Sequence, residues 1–157
     1  RALKEFIKNE QNAKIEIAFI GQTPQSVKDF VNSTHLEKYV KVFPPVKYKE
    51  SQQILESYDI QLIVEAPCEE GIFLPTKVSD SMQLGKPIFT ISPSVGVLND
   101  LYKQGHISYF SSVQNEKNIL STLRQIYKDF TNGKIKSFSL EKSYSPRTIF
   151  QQYNEII

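Results

Sequence analysis

A chain of 157 residues is long enough for one domain with a core of its own and too short for two ordinary ones. Its 39% hydrophobic and 23% charged residues exclude a disordered tail, and a formal charge of +2 with scattered lysines excludes the clustered basic face of a nucleic-acid binder. Cys68 is the single cysteine, which excludes an internal disulfide and a cysteine-rich metal site and suits a reducing, cytoplasmic compartment.

Short β-branched and aromatic runs alternate with stretches whose apolar residues recur at helical spacing. Ala2 to Gln11 sets Leu3, Phe6 and Ile7 on one helical face. Ile15 to Gly21 is an apolar run of strand length that ends on a glycine. Thr23 and Pro24 then open a helix by cap-then-proline chemistry, with Val27, Phe30 and Val31 turned inward. Tyr39 to Phe43 reads as a strand stopped by Pro44 and Pro45, and Lys49 to Ser57 as the helix after it, carrying Ile54 and Leu55.

Ile60 to Ala66 is the next strand, apolar nearly throughout. An irregular stretch, Pro67 to Leu74, leads into a helix that begins near Pro75. Pro87 to Ile91 reads as a strand, Val97 to Lys103 as a helix and Ile107 to Phe110 as a weaker strand. Asn115 to Phe130 is the clearest helix, with Ile119, Leu120, Leu123, Ile126, Tyr127 and Phe130 on one stripe and Asn132-Gly133 ending it. Ser145 and Pro146 start a closing helix over 145–157, with Ile149, Phe150, Tyr153 and Ile156 as its buried face.

Strands exchanged with crossover-length helices predict a three-layer α/β/α domain over 1–157, a Rossmann-like, doubly wound parallel sheet. In such sheets ligands bind beyond the carboxyl ends of the strands, so the loops after Gly21, Ala66 and Ile91 are the places to look. No GxGxxG or Walker sequence is present, which argues against a dinucleotide oxidoreductase or a P-loop NTPase. His35 and His106 have no cysteine or carboxylate cluster at ligand spacing and no nucleophile motif beside them, so neither a metal site nor hydrolase chemistry is expected. No apolar run approaches the length of a membrane span.

The most informative stretch is Glu69 to Leu101, EEGIFLPTKVSDSMQLGKPIFTISPSVGVLNDL. It resembles the signature region of retaining GT-B glycosyltransferases of the bacterial polysaccharide-synthesising type: an acidic-glycine loop, a helix with an acidic residue, then a turn reading GKP before a strand. Lys77, Asp80, Met82, Gly85, Lys86 and Pro87 fall in that order. The likeness runs along nearly the whole chain, from ALKEFIKNEQNAKIEIAFIG to SYSPRTIFQQYNEII, which looks like that family's closing helix.

The resemblance implies half of a GT-B fold, the C-terminal domain that binds a nucleotide-sugar donor, with the acceptor-binding N-terminal domain absent and this fragment alone inactive. In the family that domain opens with a central strand and an Arg-and-Lys pair. The present sequence starts at the helix after that strand, whose place would lie between the strands at Ile15 and Ile60. The implied acceptor is a glycan or lipid-linked sugar, no cofactor or metal is called for, and the setting is cytoplasmic, peripheral at the inner membrane face through the other domain.

Donor chemistry gives each candidate residue a role. A carboxylate at the end of a helix's inner face accepts both ribose hydroxyls, and the resemblance assigns this to Asp80, where the family usually has the longer glutamate; the plain alternative is a solvated helix aspartate. Glu70, preceding Gly71, is the candidate for the catalytic acidic residue beside the donor sugar, with Glu69 next to it, and either can equally be a surface charge. Gly71, Ile72, Phe73 and Leu74 form the approach to the helix whose first amides can cradle a phosphate, and Lys77 can add a cation. Ser94 and Gly96 form a second turn at a strand end, and Gln22 and Thr23 a third. Two other readings compete: a GT-B-like nucleotide-sugar epimerase, and a non-catalytic flavodoxin-like binding or regulatory module. The latter, in its response-regulator form, needs an acidic cluster that Gly21-Gln22-Thr23 lacks.

Overall fold

A computed structural model describes residues 1–135. The described residues fall into two compact units, Arg1–Tyr58 and a second that begins at Asp59. The closing helix expected over 145–157 lies outside them.

In the first unit, helix α1 (Ala2–Asn9) precedes strand β1 (Ile17–Ile20), helix α2 (Gln25–Ser33), strand β2 (Val40–Phe43) and helix α3 (Tyr48–Ser57). β1 and β2 pair in parallel with Ile17 opposite Val40 and Ile20 opposite Phe43, so α2 is a crossover connection. Gly21 extends this ladder by donating its N–H to the Phe43 carbonyl at 3.2 Å. Val31, Leu36 and Val40 form a buried cluster, with Leu3, Ile7 and Tyr39 packed against it. Two details of α2 depart from its periodicity. Phe30 is 47% exposed, because the turn that buries Val31 carries its neighbour a residue's rotation away from that cluster. Pro24, not Thr23, holds the cap position with an extended ψ of 144° and no side-chain cap bond, so the helix starts one residue late.

The second unit holds a three-stranded parallel sheet in the order β3 (Gln61–Val64), β5 (Ile88–Ser92) and β7 (Tyr109–Ser112). Helix α4 (Thr76–Gln83) lies in the connection from β3 to β5, and helix α5 (Val97–Lys103) in that from β5 to β7. Two further strands of two residues, β4 (Glu70–Gly71) and β6 (Val95–Gly96), pair with each other in parallel. Helix α6 (Glu116–Thr131) follows β7, its first turn capped by the Asn115 side chain, which accepts the Asn118 N–H at 3.1 Å.

Ile63, Val78, Met82, Ile88, Leu98, Leu101 and Ile107 form one buried cluster of this unit. Val78 and Met82 are spaced four apart on α4, which fixes its inward face. Each such side chain contributes roughly 1.5–3 kcal/mol through burial. β5 is the central strand, and its Ile88, Phe89 and Thr90 are all buried. β3 instead alternates: Gln61 and Ile63 are buried while Leu62 and Val64 are exposed, although all but Gln61 are apolar. Along the expected stripe of α6, Leu120 and Leu123 are buried and Ile119, Ile126 and Tyr127 half-buried, while Phe130 is exposed near the end of the helix. The helix is tied to β7 by polar contacts as well, Tyr109 Oη donating to Asp129 at 3.0 Å and Ser111 Oγ to Thr122 Oγ1 at 2.8 Å. Among the described residues no helix is long and apolar enough to cross a membrane.

Candidate functional site

The carboxyl ends of β3, β5 and β7 point their following loops to one end of the second unit's sheet, because parallel strands share a direction. The loop after β3 runs through Glu69, Glu70 and Gly71 to Leu74. The loop after β5 holds Pro93, Ser94, Val95 and Gly96. The β4–β6 pairing joins them, with Glu70 opposite Val95 and Gly71 opposite Gly96. Four sequence-predicted residues or their pairing partners therefore meet: Glu70, Gly71, Gly96 and, one residue before Val95, Ser94.

Gly96 is a glycine for a steric reason. A Cβ on Gly96 would run into the backbone of Gly71, and Gly96 has φ +145°, which L side chains rarely adopt. A Cβ on Gly71 would meet the Glu65 carboxylate oxygen Oε2 at 2.9 Å. The two backbones thus approach as closely as chain permits.

Hydroxyl and amide side chains bind these loops together. Ser92 Oγ, fully buried, donates to Glu65 Oε2 at 2.6 Å, within the short range of a hydrogen bond to a carboxylate. Ser94 Oγ donates to Ser112 Oγ at 2.9 Å, Ser112 Oγ to Gln114 Oε1 at 2.7 Å, and Gln114 Nε2 to the Cys68 carbonyl at 2.7 Å. That relay links all three strand ends. Asn99 of α5 closes the second turn by donating to the Ser94 carbonyl. Gly96 occupies the cap position of α5, without a side-chain bond.

Ile72, Phe73 and Leu74, the approach to α4, are exposed, Phe73 at 78%, and Val95 beside them is exposed too. α4 starts at Thr76 after Pro75, with no side chain capping its first amides. Lys77 lies exposed in its first turn, and Asp80, half-buried, sits three residues on, a spacing that makes helix side chains neighbours. Glu69 and Glu70 are both exposed. Gln22 and Thr23 belong to the first unit, in the turn after β1, with Thr23 half-buried.

Glu65 and Gln114 were not singled out by the sequence. Glu65 reads as the tail of an apolar strand, yet a carboxylate at the carboxyl end of such a strand is itself a signal. Gln114 lies in a polar turn with nothing to distinguish it.

No family model matches the chain, and no curated protein matches it in sequence. Among solved structures it is similar to the pneumococcal O-GlcNAc transferase GtfA in complex with UDP and GlcNAc, with a TM-score of 0.63 at 14% identity. The likeness is one of fold. It covers 99% of this chain and 31% of that one, so the present chain spans about a third of that enzyme's length. The mixed α/β, Rossmann-like class with parallel sheets, read from the alternation of elements, is the class found, and its structural neighbour is a glycosyltransferase.

Proposed function

We propose that this chain is the nucleotide-sugar-binding half of a retaining GT-B glycosyltransferase, which passes a sugar to a glycan or lipid-linked acceptor in polysaccharide synthesis. The observation that carries the reading is the β4–β6 pairing, which joins the Glu70-Gly71 loop to the Val95-Gly96 loop beyond the carboxyl ends of the sheet. The fold likeness to a transferase whose structure holds UDP and GlcNAc supports it, as does the order of residues from Glu69 to Leu101.

In this reading each chemical need of the donor has a group to meet it. Asp80 accepts the ribose hydroxyls. The uncapped amides at the start of α4 and the Lys77 ammonium neutralise the diphosphate, whose departure is the charge-developing step of transfer, so no metal is required. Glu70 faces the donor sugar, and Ile72, Phe73 and Leu74 supply apolar surface at the rim. A second domain brings the acceptor and closes over the donor, so the present chain alone binds donor weakly and transfers nothing.

Protein-observed NMR titration with UDP, GDP and ADP, beside Asp80→Ala and Lys77→Ala variants, tests this. The expected Kd is on the order of 0.1 mM to a few mM, with shifts at residues 70–80 and 94–96 that either substitution weakens. A folded sample that responds to no nucleotide at several millimolar sinks the proposal.

A further inference from the structure

Glu65 follows directly on β3, and its N–H still donates to the Ile91 carbonyl at 2.9 Å, so the end of the ladder fixes its backbone. The register that sets Val64 opposite Ile91 brings the next residues, Glu65 and Ser92, side by side. Ser92 is fully buried and its hydroxyl donates to Glu65 Oε2 at 2.6 Å. The same oxygen occupies the space that a side chain at position 71 would need, 2.9 Å from its Cβ position, with the Pro93 ring 3.6 Å from that position. Gly71 is buried against this oxygen, and Gly96 in turn lies against the Gly71 carbonyl. The Glu65 carboxylate, the Gly71 backbone and the Gly96 backbone therefore lie one against the next.

We infer that Glu65 is a positioning residue, whose carboxylate, held by Ser92, sets where the Glu70-Gly71 and Val95-Gly96 segments pair and hence the shape these loops present to a ligand. The inference rests on reading these loops as the nucleotide-sugar site, and it assigns to that site a residue that need not touch the ligand. Removing the carboxylate leaves a gap beneath Gly71 and leaves the buried Ser92 hydroxyl only the more distant Pro93 carbonyl, at 3.4 Å, so the pair loses the surface it lies against. A glutamine keeps both the volume and an acceptor oxygen. An alanine at position 92 removes the donor that aims the carboxylate.

The test compares the full chain with Glu65→Ala, Ser92→Ala and Glu65→Gln in two measurements. Amide hydrogen exchange and chemical shifts of residues 70–71 and 95–96 are read first, without ligand, using the β5 and β7 amides to show that each variant is folded. Both alanine variants are expected to exchange about tenfold faster at the pair, and Glu65→Gln to stay near the wild type. Titration with UDP then follows, with about tenfold weaker binding expected for the alanine variants and little change for Glu65→Gln. Unchanged exchange at the pair in both alanine variants overturns the inference. So does a loss of UDP binding that is equal in Glu65→Gln and Glu65→Ala, since that makes the charge itself the ligand's partner. If the wild type does not respond to UDP, the nucleotide reading fails, while the exchange measurement still decides whether Glu65 holds the pair.

Discussion

Gly96 lies so close to the carbonyl oxygen of Gly71 that no side chain fits between them. Its dihedrals, φ 145° and ψ 177°, belong to a region that essentially only glycine occupies. Gly96→Ala is therefore expected to cost about 1–3 kcal/mol in backbone strain alone and to open the β4–β6 pairing. Gly85 gives the control. Its φ of +63° is also left-handed, but nothing lies within 4 Å of the added Cβ, so Gly85→Ala costs about 1–2 kcal/mol and leaves the loops intact. Urea midpoints measure both costs, and the amide shifts of Glu70 and Val95 separate the two variants. Equal and small loop shifts in both would show that the close approach does not hold the pair.

Thr90 sits in the middle of β5, opposite Ile63 on one side and Phe110 on the other, and is fully buried. Its hydroxyl has no hydrogen-bond partner among the described residues. A buried unpaired polar group forfeits its hydration without recompense, at about 1–3 kcal/mol. Thr90→Val keeps the branched shape and the strand preference while deleting the hydroxyl, and is expected to raise stability by up to that amount. The urea midpoint should rise with the slope unchanged. A fall would mean that the hydroxyl is satisfied in solution, as by a trapped water.

How much of this was open to reading depends on the range over which each feature is decided. β1, β2, β3 and β5 were legible because four or five consecutive residues of strand-forming type suffice to mark them, and α5 and α6 because their apolar spacing does. The acidic-glycine loop and the turn at Ser94 to Gly96 each stand out in the sequence, but their pairing does not. Two-residue strands carry no periodicity, and what joins them is the dihedral of Gly96 and the absence of a side chain there. Glu65 escaped for a related reason: its role comes from lying beside Ser92, 27 positions away, which only the β3–β5 register brings about. Phe30 and Phe130 show the opposite error, where helical spacing promised burial that the neighbouring elements do not supply.

The Tyr58 hydroxyl gives the first unit a pH dependence that can be worked out in sign. It donates to Glu16 Oε1 at 2.7 Å, and burial, then this bond and the charge of Glu16, push its pKa from 10.0 up to about 12. Each cause disfavours the phenolate. Between about pH 10 and pH 12 the unfolded chain has released this proton while the native one keeps it, so the unfolded state binds fewer protons. The contribution to stability is thus fully present below pH 10.0 and is lost as pH rises through about 12. The difference in tyrosinate ultraviolet absorbance between the wild type and Tyr58→Phe should show Tyr58 titrating late. Glu16→Gln removes the negative charge but not the burial, so it should move that titration part of the way back and flatten the loss of stability over the same window. A titration indifferent to Glu16→Gln would leave burial as the sole cause and show that the bond does not persist in solution.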